Sequence, residues 1–396
     1  MSGTLLIVGG GSSKSEDEIM TILIRKAGGP KAKIALIVTA SGDHPDDLHR
    51  EYQADLEKLG LPPENLILVP LYAQYVRDER GYNAMTGDAD GLLDCMEGVT
   101  GVWFSGGDQY HTNQCLIRPD GSDTKLLAWL RNMYEAGGVI GGSSAGAAIM
   151  SRVMIGDGNN CGVLGHPVTF GYGGYAAVET EDDPSMPLIV AQGLGFFPHG
   201  VIDQHFNKRP RFMRLIETCL ANSEGMRVGY GISEDTALVY SDGKATIAGS
   251  ACVYMLDCRE AEKTENGCYR GVHFAGLQKG DAIDFETGEI TLAWEKSPKE
   301  EWFYPNYVSD GVINGPYFNR MMDRMVLRGR EECLYTDAEG RKYVKGAVVY
   351  AAGEDTYVTV VKYTRTPGMR GYRGAKTSFT GVDMDIVSVK VEGIDL

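Results

Sequence analysis

The chain lacks several of the features that most quickly assign a protein to a class. Its eight cysteines lie scattered at Cys95, Cys115, Cys161, Cys219, Cys252, Cys258, Cys268 and Cys333, with no C-x-x-C pair. In a chain of this length they read as buried thiols of a reducing compartment rather than a disulfide framework. Positive charge is in short supply. Lys and Arg number 38 against 54 Asp and Glu, a formal net charge of −16, which argues against nucleic acid or an anionic membrane surface as the main partner. No long apolar run is present, and no basic leader precedes the first apolar segment at residues 5–8. Neither a signal peptide nor a membrane span is predicted, and a cytoplasmic location is expected. The H-E-x-x-H pattern is absent, so His44 and His49, beside Asp46 and Asp47, read as a solvated helix start rather than metal ligands. Residues 9–13 with Lys14 lack the G-x-x-x-x-G-K-[ST] spacing and read as a strand-end turn near a site, not a phosphate loop. Internal repeats and low-complexity tracts are missing as well.

What is present is a chain of 396 residues, 43% of them hydrophobic, enough for a large core and, by length, two domains. Residues 1–150 alternate strand signals (5–8, 34–38, 66–69, 102–104, 139–140) with helical stretches (16–27, 45–59, 124–136). That rhythm predicts an α/β fold, a mostly parallel sheet flanked by helices on both faces. Sites in such sheets gather beyond the carboxyl ends of the strands. Four strands end there in loop chemistry: Gly9-Gly10-Gly11, Thr39-Ala40-Ser41, Ser105-Gly106-Gly107-Asp108-Gln109 and a serine-bearing turn after residue 140. Residues 151–200 are rich in Gly and Tyr and show few regular signals apart from the apolar 187–191 segment. Within them Phe170-Gly171-Tyr172-Gly173-Gly174-Tyr175 reads as a packed loop, with a flap over Ser144 as the minor alternative. Residues 231–290 read as short strands and turns. Beyond about residue 293 the character changes. Phe318, Met321, Met322, Met325 and Val326 follow helical spacing, whereas 356–363 and Val387, Val389 and Val391 look extended. A catalytic domain over 1–290 and a C-terminal α+β appendage over 291–396 are expected, with Arg365, Arg370, Arg373 and Lys376 in an exposed loop.

The chemistry concentrates in three segments. Gly141-Gly142-Ser143-Ser144-Ala145-Gly146-Ala147 fits the G-x-S-x-G nucleophile elbow with Ser144 at its centre. A serine hydroxyl is a weak nucleophile without a base, and the base needs a third group to hold its tautomer. Of the seven histidines, His205 stands out, in Asp203-Gln204-His205-Phe206-Asn207-Lys208-Arg209-Pro210-Arg211-Phe212-Met213-Arg214. Guanidinium forks suit carboxylates because they bond both oxygens. His199 ranks second, in what looks like an approach loop. The third segment, Gly229-Tyr230-Gly231-Ile232-Ser233-Glu234-Asp235-Thr236-Ala237-Leu238, offers Glu234 to the imidazole, with Asp235 as substitute.

Together with Phe104-Ser105-Gly106-Gly107-Asp108-Gln109, these segments resemble the cyanophycinase family of serine peptidases, of which aspartyl dipeptidases are smaller relatives. The resemblance covers residues 1–290. Its elbow matches except that Ser143 replaces threonine, and its Gly-Gly-Asp-Gln, Asp-Gln-His-Phe and Glu-Asp-Thr-Ala runs match residues 106–109, 203–206 and 234–237. The resemblance implies a sheet of the glutamine-amidotransferase-like or flavodoxin-like kind, with Ser144 as nucleophile, His205 as base and Glu234 as its orienting acid. It implies an oxyanion hole from the Ala145 N–H and a backbone N–H near Gly107 and Asp108. Gln109, Asp203, Gln204, Arg209, Arg211 and Arg214 correspond to substrate-pocket positions. It calls for no metal and no cofactor. The substrate it implies is cyanophycin, poly-aspartate with arginine on each side chain, cleaved to β-Asp-Arg dipeptides; a homodimer is the oligomer such relatives often form. An aspartyl or isoaspartyl dipeptidase and a non-catalytic binding or scaffold protein on the same fold stand as alternatives. A lipase-type α/β-hydrolase would place its acid before its histidine, the reverse of the order here. The chain departs from the family pattern in its long separation of Ser144 from His205, in Pro210, and in everything beyond residue 290.

Overall fold

The structure, a computed structural model, describes residues 3–11, 15–42, 44–72, 85–171, 186–209, 211–264 and 267–293. It also describes C-terminal strands at 308–310, 335–336, 342–352, 355–365, 370–373 and 376–391. The apolar runs of the first part become five strands: β1 (Thr4–Val8), β2 (Ile34–Ile37), β3 (Leu66–Leu68), β4 (Gly101–Phe104) and β5 (Val139–Ser143). They lie in the order β3-β2-β4-β5-β1 with every neighbour parallel. The intervening segments form α1 (Glu16–Lys26), α2 (Pro45–Lys58), α3 (Gln109–Leu116) and α4 (Lys125–Glu135). Alternation along β1 shows why both faces must be covered. Leu5 and Ile7 share a core with Leu126, Leu127 and Leu130 of α4, whereas Leu6 and Val8 pack with Ile19 and Leu23 of α1 and Leu56 of α2.

Past β5 the chain makes a short helix α5 (Ala145–Ala148) and enters a second sheet. Its strands include β6 (Val153–Asp157), β7 (Thr169–Phe170), β8 (Ile189–Gln192), β9 (Val201–Asp203) and β10 (Val228–Ile232), with helices α6 (Asn160–Gly165) and α7 (Phe212–Ala221). Strands β11 (Thr236–Ser241) and β12 (Lys244–Gly249) return to the first sheet, β11 lying antiparallel to β1. The chain then rejoins the second sheet at β13 (Cys252–Asp257), which pairs with β10. The α/β class holds: parallel strands flanked by helices make the first half of the chain, and mixed sheets the rest.

Local signals missed two features. Residues 151–200 contain β6, α6, β7 and β8, because Val153-Met154-Ile155 is too short to show a period and its partners β8 and β9 lie far along the chain. The basic positions Arg365, Arg370, Arg373 and Lys376 fall in strands, the last three in a hairpin pairing Arg370–Arg373 with Lys376–Val391. The second sheet runs on past residue 290. Lys376–Val391 pairs with Tyr269–Gln278, Phe379 packs edge-on against Phe274, and buried Ser378 donates to Asp281 Oδ2 at 2.6 Å. The helical spacing at Phe318 to Val326 and the tyrosines of the expected flap, Tyr172 and Tyr175, lie outside the described residues.

Candidate active site

Ser144 stands where β5 turns into α5, in a conformation L-residues rarely adopt (φ 56°, ψ −110°). Three backbone hydrogen bonds hold it there. Its N–H donates to Val8 O at 3.0 Å, and its carbonyl accepts from the amides of Ala147 and Ala148. The flanking glycines let strand and helix touch: a Cβ on Gly142 would lie 2.4 Å from Gly146 O. The strained turn lifts the hydroxyl clear of the sheet edge.

The other two groups arrive from the second sheet. β9 and β10 are parallel neighbours, so the residues just after them, His205 and Glu234, emerge at the same edge. Ser144 Oγ lies 2.7 Å from His205 Nε2, and His205 Nδ1 lies 2.8 Å from Glu234 Oε1. A carboxylate only accepts, so Nδ1 carries the imidazole proton and the Nε2 lone pair faces the serine hydroxyl. Burial, then the positive charge of Arg209, lowers the His205 pKa to about 4, with the Glu234 hydrogen bond opposing. The ring is therefore neutral near pH 7, as a proton acceptor must be. Asn207 Oδ1 accepts from the Glu234 N–H at 2.9 Å, a role that no residue pattern in the sequence marks. Asp235 has its N–H on Gly10 O at 3.0 Å and is not the carboxylate hydrogen-bonded to His205. His199 is occupied elsewhere, its Nε2 3.0 Å from the Tyr240 hydroxyl and its ring stacked on Phe285.

The Gly106-Gly107-Asp108-Gln109 loop sits across from Ser144, a Cβ on Gly106 falling 3.3 Å from Ser144 Cβ. The Asp108 N–H donates to Ala40 O at 2.8 Å, and the Asp108 carboxylate caps α3 through the Tyr110 N–H at 2.8 Å. Gln109 Nε2 reaches the carbonyls of Ile155 and Gly156, at 3.1 and 2.5 Å. Behind His205 lies a buried charge cluster. Asp203, 1% exposed, accepts from Arg214 Nε at 2.8 Å and Nη2 at 2.5 Å, and from the Gln204 N–H at 2.9 Å. Arg214 also donates to Gly158 O. Arg211 Nη1 donates to the Gln204 backbone and side-chain oxygens, at 2.6 and 2.5 Å, and stands 3.5 Å from Asp203 Oδ1. Arg209 is half-buried. At the first helix, His44 is the N-cap of α2, accepting from the Asp46 N–H, and His49 contacts Leu66 O. Among the described residues no cluster of metal-ligating side chains occurs, and no helix is long and apolar enough to cross a membrane.

A hydroxyl, imidazole and carboxylate hydrogen-bonded in series at the edge of an α/β sheet is the arrangement of a serine hydrolase. The comparisons with known proteins agree, and the chain is a peptidase hydrolase. Residues 5–163 match the family model for Peptidase family S51. The cyanophycinase of Synechococcus elongatus is 29% identical over 266 residues, 66% of this chain and 70% of that protein. The cyanophycinase of Geminocystis herdmanii is 28% identical over 271 residues, 67% and 85% of the two chains; that of Trichormus variabilis is 29% identical over 264 residues, 66% and 75%. The resemblance to the cyanophycinase family drawn from the four motifs is thereby borne out. Among solved structures, a peptidase from an acI-B1 Actinobacterium aligns with a TM-score of 0.48 at 20% identity, over 72% of this chain and 98% of that one.

Proposed function

We propose that the protein is a serine-type exopeptidase that hydrolyses cyanophycin to β-Asp-Arg dipeptides through an acyl-enzyme on Ser144. The observation that carries this reading is the Ser144–His205–Glu234 chain, at 2.7 and 2.8 Å. Ser144 Oγ attacks the aspartyl carbonyl as His205 Nε2 takes its proton, and Glu234 stabilises the imidazolium that results. The Ala145 N–H, at the first position after the nucleophile, is one donor to the tetrahedral oxyanion. Because the Asp108 N–H is engaged by Ala40, the Gly107 N–H is the donor we assign on the opposite side. His205 then protonates the departing amine and activates the water that frees the acyl group. Arg209 beside His205 keeps this wall cationic and suited to the carboxylate of a terminal aspartyl unit, with Arg211 and Arg214 held behind it around Asp203. In this reading residues 1–290 carry the chemistry and residues 291–396 are an extension outside it.

One observation favours a second reading, an aspartyl or isoaspartyl dipeptidase: Asp203 and Arg214 are paired to each other, which leaves fewer free groups for a long polymer. The wild type and Ser144→Ala are incubated with insoluble cyanophycin and soluble products followed by mass spectrometry. Dipeptide release by the wild type alone is the expected result. Silence from a wild type whose Ser144 still reacts with a fluorophosphonate overturns the polymer and directs the search to aspartyl dipeptides.

A further inference from the structure

The turn after β1, Gly9-Gly10-Gly11, touches both partners of Ser144 without contributing a side chain. Gly9 O accepts the His205 N–H at 2.7 Å, and Gly10 O accepts the Asp235 N–H at 3.0 Å. His205 itself sits at φ 49°, a left-handed conformation that residues with a Cβ adopt infrequently. Its own carbonyl accepts from the amides of Lys208 and Arg209, so the backbone of the base is held from both sides. The side chains are held by contact. A Cβ on Gly10 would lie 2.4, 2.7 and 2.9 Å from Cε1, Nε2 and Nδ1 of the His205 ring. One on Gly11 would lie 2.7 Å from Glu234 Oε2. The glycines thus form a flat floor, with the imidazole resting on one and its carboxylate on the next.

We propose that Gly10 and Gly11 are positioning residues of the hydrolytic site, a backbone template that sets the imidazole between Ser144 and Glu234. This rests on the serine-hydrolase reading above. A Cβ at Gly10 displaces the ring from Ser144, from Glu234 or from both, and a misplacement on the order of 1 Å costs about 100-fold in rate. A Cβ at Gly11 pushes the carboxylate away from Nδ1.

The test separates the template from plain backbone strain. Gly10 has φ +101° and Gly137, at the end of α4, has φ +100° with nothing within 4 Å of a built Cβ. Gly137→Ala therefore places alanine at a matching φ with no contact at the site. The measured quantity is the rate of fluorophosphonate labelling of Ser144 across pH, beside the thermal midpoint, in the full chain. Gly10→Ala is expected to label about 100-fold more slowly than Gly137→Ala; labelling within about threefold of it overturns the proposal. Gly11→Ala needs only φ +51°, which alanine adopts at modest cost, and it decides the matter if Gly10→Ala does not fold. Its labelling rate is expected to fall and its acid limb to move to lower pH, since the carboxylate that supports the imidazolium has been displaced; an unmoved profile at an unchanged rate overturns the template. A folded wild type that does not label defeats the serine-hydrolase reading itself. A labelled wild type with unaffected glycine variants defeats only the template.

Discussion

His205 and Arg214 belong to one short stretch of chain, and on paper both are nitrogen bases in a polar run. His205 leaves the end of β9 and turns to the sheet edge, its side chain 12% exposed, with Ser144 on one nitrogen and Glu234 on the other. Arg214 sits on α7, 3% exposed, its guanidinium gripping both oxygens of Asp203 and the Gly158 carbonyl. The first group has one face open to a reaction. The second has its donors committed to protein acceptors, tying α7 to the end of β9 from which His205 departs. His205 faces a hydroxyl at an open sheet edge, whereas burial with paired hydrogen bonds to a carboxylate and a carbonyl makes Arg214 a brace.

The contrast is testable from both sides. The largest effect is expected at the open end: Ser144→Ala should lower turnover by about 10⁴–10⁶ while leaving the thermal midpoint unchanged or raised. Retention of a tenth of wild-type turnover would remove Ser144 from its role. Glu234→Gln should cost about 10⁴ in kcat, because the amide favours the wrong imidazole tautomer, and steady-state kinetics with KM little changed would show it. At the braced end, Arg214→Met should destabilise the fold by about 3–5 kcal/mol, since it leaves Asp203 buried without its bidentate partner. Urea unfolding measures this, and a loss confined to KM with full stability would make Arg214 a substrate contact instead.

Smaller effects concern pH. The His205 ring must be neutral to accept a proton, and its pKa is lowered to about 4, so kcat/KM should hold through mildly acid conditions and fall only as pH drops through about 4. In the unfolded chain the imidazole protonates near its ordinary value of 6.5. Between those values the unfolded state binds more protons, so the stability associated with a neutral, buried His205 is complete above 6.5 and is lost as pH falls from there towards about 4. The smallest change is expected from Arg209→Gln. Removing a charge that lowers the His205 pKa should move the acid limb of kcat/KM to higher pH, and a limb that stays in place would separate Arg209 from the base.

The candidate residues of the site were largely readable from the chain: Ser144 from a glycine-flanked elbow, His205 from a dense polar and cationic run, Glu234 from an acidic pair after a glycine-rich turn, and all three from the family resemblance. The structure brings these three residues together. The role of Asn207 and of the turn after β1 was not readable. Their work is done through an amide acceptor, backbone carbonyls and a missing Cβ, which carry no distinctive residue pattern. The Asp108 N–H illustrates the same blindness. Its residue lies in a matching motif, yet the Ala40 carbonyl that occupies it comes from the loop after another strand.

Residue order alone marked out the candidate reagents and the alternation of strands and helices in the first half, since periodicity, tight turns and the demand for glycine are local properties. Folding in three dimensions settled which charges in residues 203–214 pair with one another. It also set the pairing of β9 with β10 that brings base and acid to one edge, and the joining of residues 376–391 to the second sheet. Those outcomes depend on partners distant in sequence, and burial and hydrogen-bond satisfaction exist only once such partners have met.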